Sequence, residues 1–428
     1  MCGIGAVWDR NVGIRAREMS VWLMHRGEEG VRYAFLRNGE IAVGDSVPED
    51  AEAALVHARY STTGPYGVQL QPVLARYRDL EVAVAFNGTV ANYRQIAPRA
   101  KTDSEAYAQK LAEALWEHGL EEGLRELYSK IVGAASSVFI TAELVVGFRD
   151  PRGVRPLSFS DDAAASETIA LGGRGIDLRP GHAVVWSRGS ARVVEVMSLK
   201  ERLCSLEFVY FAHPGSRIQG RLVADVRREL GRRLAEGEDA DIEVVAYVPE
   251  TARHAAAGYA EGLGRPLVDA VLKNRYSGRI FIKPPYMRNA SPSFRVVEDY
   301  VKGRRVALVD DSLIRGTNLR DIVVKLKAAG AREVHVRIAS PPVKWPCFFG
   351  MDFQSRSELM ANGRGLAEIA RLLRADSLRY LSLEQFKVVI GERACYGCFT
   401  GRYPQRIKVA QLEREIATSR EKALGAEP

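Results

Sequence analysis

The stretch VALVDDSLIRGTNL at residues 306–319 constrains the fold more than any other part of this chain. It reads as an apolar strand ending in Asp310 and Asp311, then a short loop of Ser, Gly and Thr, then a helix. Backbone N–H groups in such a loop, at a helix N-terminus, form a cradle for an anion. Two carboxylates at the C-terminal end of a buried strand can grip ribose hydroxyls or Mg2+. The chain has no GxxxxGK(S/T) run, so ordinary P-loop chemistry is not expected. The plain alternative is a capped turn with a solvated acid pair.

The motif sits in a region of one style. A helix over 221–236, a strand over 242–249, a helix over 255–264, a strand over 305–311, a helix over 321–330 and a strand over 333–342 alternate across short loops. That alternation predicts a parallel sheet with crossover helices. Residues 1–200 differ. Short apolar runs at 81–88, 143–150, 167–173 and 182–186 read as strands bounded by turns, with an amphipathic helix over 104–119 that Thr102 or Asp103 could cap. This half is expected to be α+β with antiparallel strands. At 428 residues, two or three domains are expected. The boundaries are placed at 2–200, 201–385 and 386–428, the last being a segment with a charged tail.

A content of 46% hydrophobic and 27% charged residues excludes disorder and collagen-like structure. The net charge of +8 is modest for this size. Basic clusters at 226–234 and 302–305 lack interleaved aromatics and read as solvated helix faces or turns, so no nucleic-acid partner is expected. A phosphorylated small molecule would equally use such charge. The most apolar stretch, 131–148, contains Glu143, two Ser and a Thr, and splits into two strands rather than one membrane span. With no secretory signal pattern, a cytoplasmic protein without membrane attachment is expected.

Five cysteines stand at 2, 204, 347, 395 and 398, an odd and widely spaced set unlike a disulfide framework. Removal of Met1 would give Cys2 a free α-amine, with a pKa near ~8, beside its thiol; that is a nucleophile with a built-in base. An early cysteine by chance is the plain alternative. Cys395 and Cys398 form a single C-x2-C, which by itself reads as zinc, redox or chance.

Context narrows these readings. MCGIGAV is followed in order by MHRGEEG (24–30), HARYSTTG (57–64), FNGTVANY (86–93), TDSEA (102–106), GFRDPRGVRPL (147–157) and ASETIAL (165–171). This ordered set resembles the N-terminal-nucleophile glutaminase domain of the glutamine phosphoribosylpyrophosphate (PRPP) amidotransferases. YVPET (247–251), KNRYSGRIFI (273–282), the 306–319 motif, SPPVKWPCFFG (340–350) and CYGCFTGRYP (395–404) extend the resemblance over about nine-tenths of the chain. It implies a type I phosphoribosyltransferase domain with a parallel sheet after the glutaminase domain. It further implies an enzyme that makes 5-phosphoribosylamine, glutamate and pyrophosphate from PRPP, glutamine and water, in the first committed step of purine synthesis. A related amidotransferase with another product, or a non-catalytic sensor on the same fold, are the rival readings.

Residue roles follow from the resemblance. Cys2 would attack the glutamine amide, and Asn87 and Gly88 would hold the oxyanion. Arg59 would bind the substrate α-carboxylate and Asp103 its α-amine. Ser312, Arg315, Gly316 and Thr317 would hold the PRPP 5′-phosphate. Asp310 and Asp311 would hold the ribose and Mg2+, with Thr251 in the metal's shell. Cys204, Cys347, Cys395 and Cys398 match the subgroup with a structural [4Fe–4S] cluster. A homo-oligomer is expected.

Three departures stand out. Phe86 occupies the position of the family's His. HRGEEG replaces an HRGQ-type run. The segment after KNRYSGR, which matches the family's mobile loop, looks a few residues short, and the family's Lys-Leu-Asn-like run falls here on Ser293-Phe294-Arg295. Lys283, Arg288 and Arg295 are the cations in reach of pyrophosphate. Arg295 is the favoured substitute, because a guanidinium can make bidentate phosphate contacts; the plain alternative is a surface arginine on a helix entering the strand at 306–309.

Overall fold

The computed structural model describes residues 1–8, 10–60, 71–187, 190–274 and 294–414. Two antiparallel sheets form the first half. One has seven strands in the spatial order Ile176–Asp177, Ser158–Phe159, Ala163–Ala165, Gly3–Trp8, Ala53–Ala58, Val31–Arg37, Glu40–Gly44. The other has six, in the order Ser190–Glu195, His182–Ser187, Val145–Phe148, Gly133–Ile140, Leu80–Val90, Val73–Tyr77.

Strand alternation explains how the layers stack. Ile4 and Ala6 of the first sheet meet Ala83, Ala85, Val138 and Ile140 of the second in one buried cluster. The opposite faces are covered by helices. Val7, Ala54 and Val56 pack on the helix Val12–Leu23, and Val82, Val84 and Phe86 pack on the helix Asp103–Lys130. The result is a helix–sheet–sheet–helix sandwich. Gly5 lets the first helix approach, since a Cβ there would lie 2.1 Å from the Met19 sulfur.

The expected helix over 104–119 ends at Gly119, where φ is +73°, but a second helix continues directly to Lys130. Thr102 is the cap: its side chain accepts from the Glu105 N–H at 3.2 Å. The stretch 167–173, expected as a strand, is instead a 3-10 turn over Thr168–Leu171 closed by Gly172 in the left-handed region. Its short apolar run fits either structure, and the two glycines that end it favour a turn.

The second half holds a four-stranded parallel sheet in the order Val244–Tyr247, Arg305–Asp310, Glu333–Ile338, Ser377–Tyr380. The helices Val223–Ala235, Arg253–Leu263 and Thr317–Ala328 contribute their apolar sides to the same core. Of the basic cluster at 226–234, Arg228, Arg232 and Arg233 form surface ion pairs with Glu261, Glu229 and Glu236. Arg227 is buried and donates to the carbonyls of Phe208 and Ala212, at 2.7 Å each. A parallel pairing of Leu203–Cys204 with Ala394–Cys395 ties the C-terminal segment back to the start of this half. Among the described residues, no helix is long and apolar enough to cross a membrane.

Candidate active site

Alternation along Gly3–Trp8 places Cys2 on the same side as Ile4 and Ala6, the side between the sheets. Asn87 follows Ala83 and Ala85 onto that side from the facing sheet. The Cys2 thiol donates to the Tyr60 carbonyl at 3.5 Å, and burial pushes its pKa up. Asn87 is fully buried, and among the described residues neither its Oδ1 nor its Nδ2 has a hydrogen-bond partner. Leaving a buried amide unsatisfied costs about 1–3 kcal/mol, so the group marks a place where a ligand completes the structure. Gly88 has φ of +146°, and a Cβ there would lie 1.9 Å from the Ala134 carbonyl oxygen, so the position demands glycine.

The two residues expected to orient the substrate stand close by. Asp103 is buried, and its Oδ2 accepts from the Val90 N–H at 3.3 Å, two residues beyond Gly88. Arg59 is buried with its Nε 3.4 Å from Glu29. Residues 61–64 of the HARYSTTG run lie outside the described residues. Phe86 points to the helix side of its sheet, with its ring 5.0 Å from that of Tyr107. This first departure therefore fills core and leaves the Asn87 side of the strand unaltered.

Motif residues to which the sequence assigned no role form a buried ionic chain behind Cys2. Arg26, from the HRGEEG run, donates to the Cys2 carbonyl at 3.1 Å and pairs with Glu167 at 2.5 Å and Glu207 at 3.0 Å. Arg155 reaches Glu207 at 3.4 Å and also contacts the Met1 sulfur. All four charged groups are fully buried, so removing any one would strand the others.

At the other end, Asp310 and Asp311 follow the buried strand as expected. Asp311 accepts from the Thr251 hydroxyl and, at 2.6 Å, from the Ser312 hydroxyl. Its N–H donates to Asp310 Oδ1 at 2.9 Å. Burial and the charge of Asp311 push the Asp310 carboxyl well above the usual carboxylate range. Gly316 has φ of +79° and begins the helix Thr317–Ala328, which has no side-chain cap, so its first N–H groups suit an anion. Arg315 is held by Glu358 and by the Asp352 carbonyl, at 2.9 Å and 2.7 Å, and so anchors the loop.

A cavity of about 410 Å3 is bordered by Thr251, Asp310–Thr317, Lys273 and Phe294 on one side and by Glu28 and Tyr60 on the other. It thus runs from the residue that accepts the Cys2 thiol to the paired acids. Glu28, the second departure, lies on its wall. Arg295 does not border it. Arg295 is exposed on the strand Phe294–Val296, which pairs with Val271–Lys273. Alternation turns Phe294 to the cavity and Arg295 away, so the structure corrects the expected placement of Arg295; it is on a strand, not a helix. Lys273, opposite Phe294, lines the cavity, as does Arg315 on the loop after Asp311. Lys283 and Arg288 lie outside the described residues.

Known proteins match this arrangement over nearly the whole chain. An amidophosphoribosyltransferase from Archaeoglobus fulgidus is 36% identical, covering 96% of this chain and all of that protein. One from Bacillus subtilis is 32% identical over 95% of this chain and 94% of its own. The chain belongs to the amidophosphoribosyltransferase family. A solved glutamine PRPP amidotransferase from B. subtilis, complexed with ADP and GMP, superposes with a TM-score of 0.83 at 31% identity, covering 95% of this chain and 98% of that one. No family model matches the chain. The fold is therefore that of this amidotransferase family, an N-terminal-nucleophile glutaminase domain followed by a type I phosphoribosyltransferase domain.

The remaining four cysteines of this amidophosphoribosyltransferase chain converge. Cys204 stands opposite Cys395 in the parallel pairing, and the Cys398 carbonyl accepts from the N–H groups of Lys344 and Trp345, at 3.0 Å each, just before Cys347. Burial pushes the Cys204 thiol up to about 11 and Cys395 up to about 12; Cys398 is raised by burial and by Cys395, Cys204 and Cys347. None is in a disulfide. Among the described residues, no three His, Cys, Asp or Glu side chains stand close enough to hold a single metal ion.

Proposed function

We propose that this chain makes 5-phosphoribosylamine, glutamate and pyrophosphate from PRPP, glutamine and water, in the first committed step of purine synthesis. One observation carries the reading: a single cavity borders both Tyr60, partner of the Cys2 thiol, and the Asp310–Asp311 loop. The glutaminase domain spans 2–200, the phosphoribosyltransferase domain 201–385, and a C-terminal segment 386–428.

After Met1 is removed, the α-amine of Cys2 takes the thiol proton and the sulfur attacks the glutamine amide carbon. A thiol with a raised pKa needs that base beside it. The Asn87 amide and the Gly88 N–H donate to the oxyanion, which gives the Asn87 Nδ2 the acceptor it lacks. Arg59 and Asp103 orient the two ends of glutamine. The amine leaves with a proton as ammonia, and water then releases glutamate from the thioester. Ammonia crosses the cavity, shielded from protonation in bulk water, and attacks C1 of PRPP as pyrophosphate departs.

Ser312, Gly316 and Thr317 cradle the 5′-phosphate, on a loop that Arg315 anchors. Asp310 and Asp311, with Thr251, would hold a divalent cation, because burial and the charge of Asp311 push the Asp310 carboxyl up and a cation would offset that repulsion. Mg2+ held there supplies Lewis-acid stabilisation of the leaving pyrophosphate. Lys273 is the wall cation placed to meet that growing charge. Lys273→Ala should lower turnover at least tenfold, about 1.4 kcal/mol, with glutamine and with ammonia alike. Arg295→Ala should leave it unchanged, and the reverse result would restore Arg295.

Three buried thiols, Cys204, Cys347 and Cys398, and the half-buried Cys395 would hold a thiolate-bound cluster, which would cross-link the segments that carry them. Anaerobic protein should contain about four iron and four acid-labile sulfide per chain, and Cys395→Ser should lose both along with thermal stability. Stoichiometric zinc without sulfide would overturn the cluster. A cytoplasmic homo-oligomer is proposed as well; Val21 and Trp22, 64% and 48% exposed on the first helix, are suited to cover by a second copy.

The test of the reaction is to assay anaerobically purified protein for PRPP-dependent glutamate release and for ribosylamine formation. Turnover of both in equal amount is expected. Glutamate release with no ribosylamine would point to another product, and no turnover at all would sink the reading.

A further inference from the structure

The loop that carries Cys347 ends against the oxyanion strand. Gly350 has φ of +114°, and a methyl group placed on it would lie 3.0 Å from the Gly88 Cα and 3.1 Å from an Arg155 nitrogen. The preceding carbonyl, that of Phe349, accepts from the Arg155 Nε at 2.6 Å and from its Nη2 as well. Arg155 is fully buried, as are Phe348 and Phe349. The loop is closed on itself, because the Cys347 N–H donates to the Phe353 carbonyl at 2.8 Å.

Gly88 is thus confined from two directions. Within its sheet it lies so close to Ala134 that no side chain fits, and from the other domain the backbone of Gly350 rests on it. The same arginine that fixes Phe349 joins the ionic chain through Glu207 and Arg26 to the Cys2 carbonyl. One loop of the second domain therefore touches both halves of the hydrolytic machinery: Gly88 by backbone contact, and Cys2 through three charged side chains.

We propose that Gly350, together with the Phe349 carbonyl gripped by Arg155, is a positioning element that seats the Asn87–Gly88 oxyanion pair. Oxyanion donors act only if they are fixed before charge develops. A small displacement of a catalytic group is enough to lose most of its effect. The loop that forms this strut starts at Cys347, so the second domain supports glutamine hydrolysis from outside the glutaminase domain. This inference rests on the reaction proposed above.

The test is Gly350→Ala and, separately, Arg155→Lys, which keeps the buried charge but loses the two-pronged hold on Phe349. For both, kcat of glutamine hydrolysis should fall at least roughly tenfold, with KM for glutamine, the ammonia-driven rate and the iron and sulfide content all unchanged. A purely structural role would move these together; equal losses in the glutamine- and ammonia-driven reactions, or loss of metal, would overturn the proposal. So would a wild-type kcat in Gly350→Ala, or a change confined to KM. Wild-type protein that forms ribosylamine from ammonia but never hydrolyses glutamine would overturn the glutaminase reading itself, and this inference with it.

Discussion

Replacing Cys2 with Ala should abolish glutamine-driven synthesis, by more than about a thousandfold, and leave synthesis from ammonium salt intact. The magnitude follows from the chemistry: alanine offers no nucleophile, while the Ser136 hydroxyl across from Asn87 is engaged with Asp150 and the Arg155 carbonyl, and a thousandfold loss is about 4 kcal/mol of barrier. The selectivity follows from the geometry. On the proposed reading Cys2 acts behind Tyr60, a wall residue of the cavity whose carbonyl its thiol meets, while Asp310 and Asp311 line another end. Ammonia added from outside needs only the second end. The smaller side chain leaves the Arg26 bond to the residue-2 carbonyl in place, so the fold should survive. Mass spectrometry would report Met1 removal, and protein with Met1 retained should behave like the mutant. Full glutamine activity in Cys2→Ala would remove this residue from the reaction.

What the sequence revealed and what it hid differ in kind. Strands whose apolar runs end in strong turn residues, such as 81–88 and 305–311, stand where the pattern placed them, because burial on both sides imposes a long apolar run. The motifs on their ends came with them: Asn87 and Gly88, Asp310 and Asp311. Residues whose role depends on another segment were not legible. Arg26, Arg155, Glu167 and Glu207 lie in or beside motifs, yet nothing local says that they form one buried chain across both halves. Counting along the chain points to Arg295, whereas a strand pairing, which counting does not show, sets Phe294 inward and Arg295 outward. Gly350 gave no signal beyond being a glycine. Its constraint is another backbone, more than 200 residues away in sequence.

Asp310→Asn should separate function from stability. Asp310 and Asp311 are adjacent in the site proposed to take a cation, and without one their charges oppose each other in a poorly solvated place. The substitution removes that repulsion but keeps the contact that shapes the loop, since the amide oxygen can still accept from the Asp311 N–H. Metal-free Asp310→Asn should therefore unfold at a temperature no lower than wild type. Its activity should fall about a hundredfold or more, roughly 2.7 kcal/mol, with glutamine and with ammonia equally, because both reactions require bound PRPP. Asp311→Asn should lose activity in the same way but also lose stability. Both Asp311 oxygens accept from hydroxyls, of Thr251 and of Ser312, and an amide NH2 would set a donor against one of them. The measurements are thermal unfolding in chelator and initial rates with each nitrogen source. Active sites commonly hold groups together at the expense of stability, and the opposite ranking of the two variants in unfolding temperature would show that Asp310, not Asp311, shapes the loop. Loss of the glutamine-driven rate alone would mean that the acid pair has been assigned to the wrong half of the reaction.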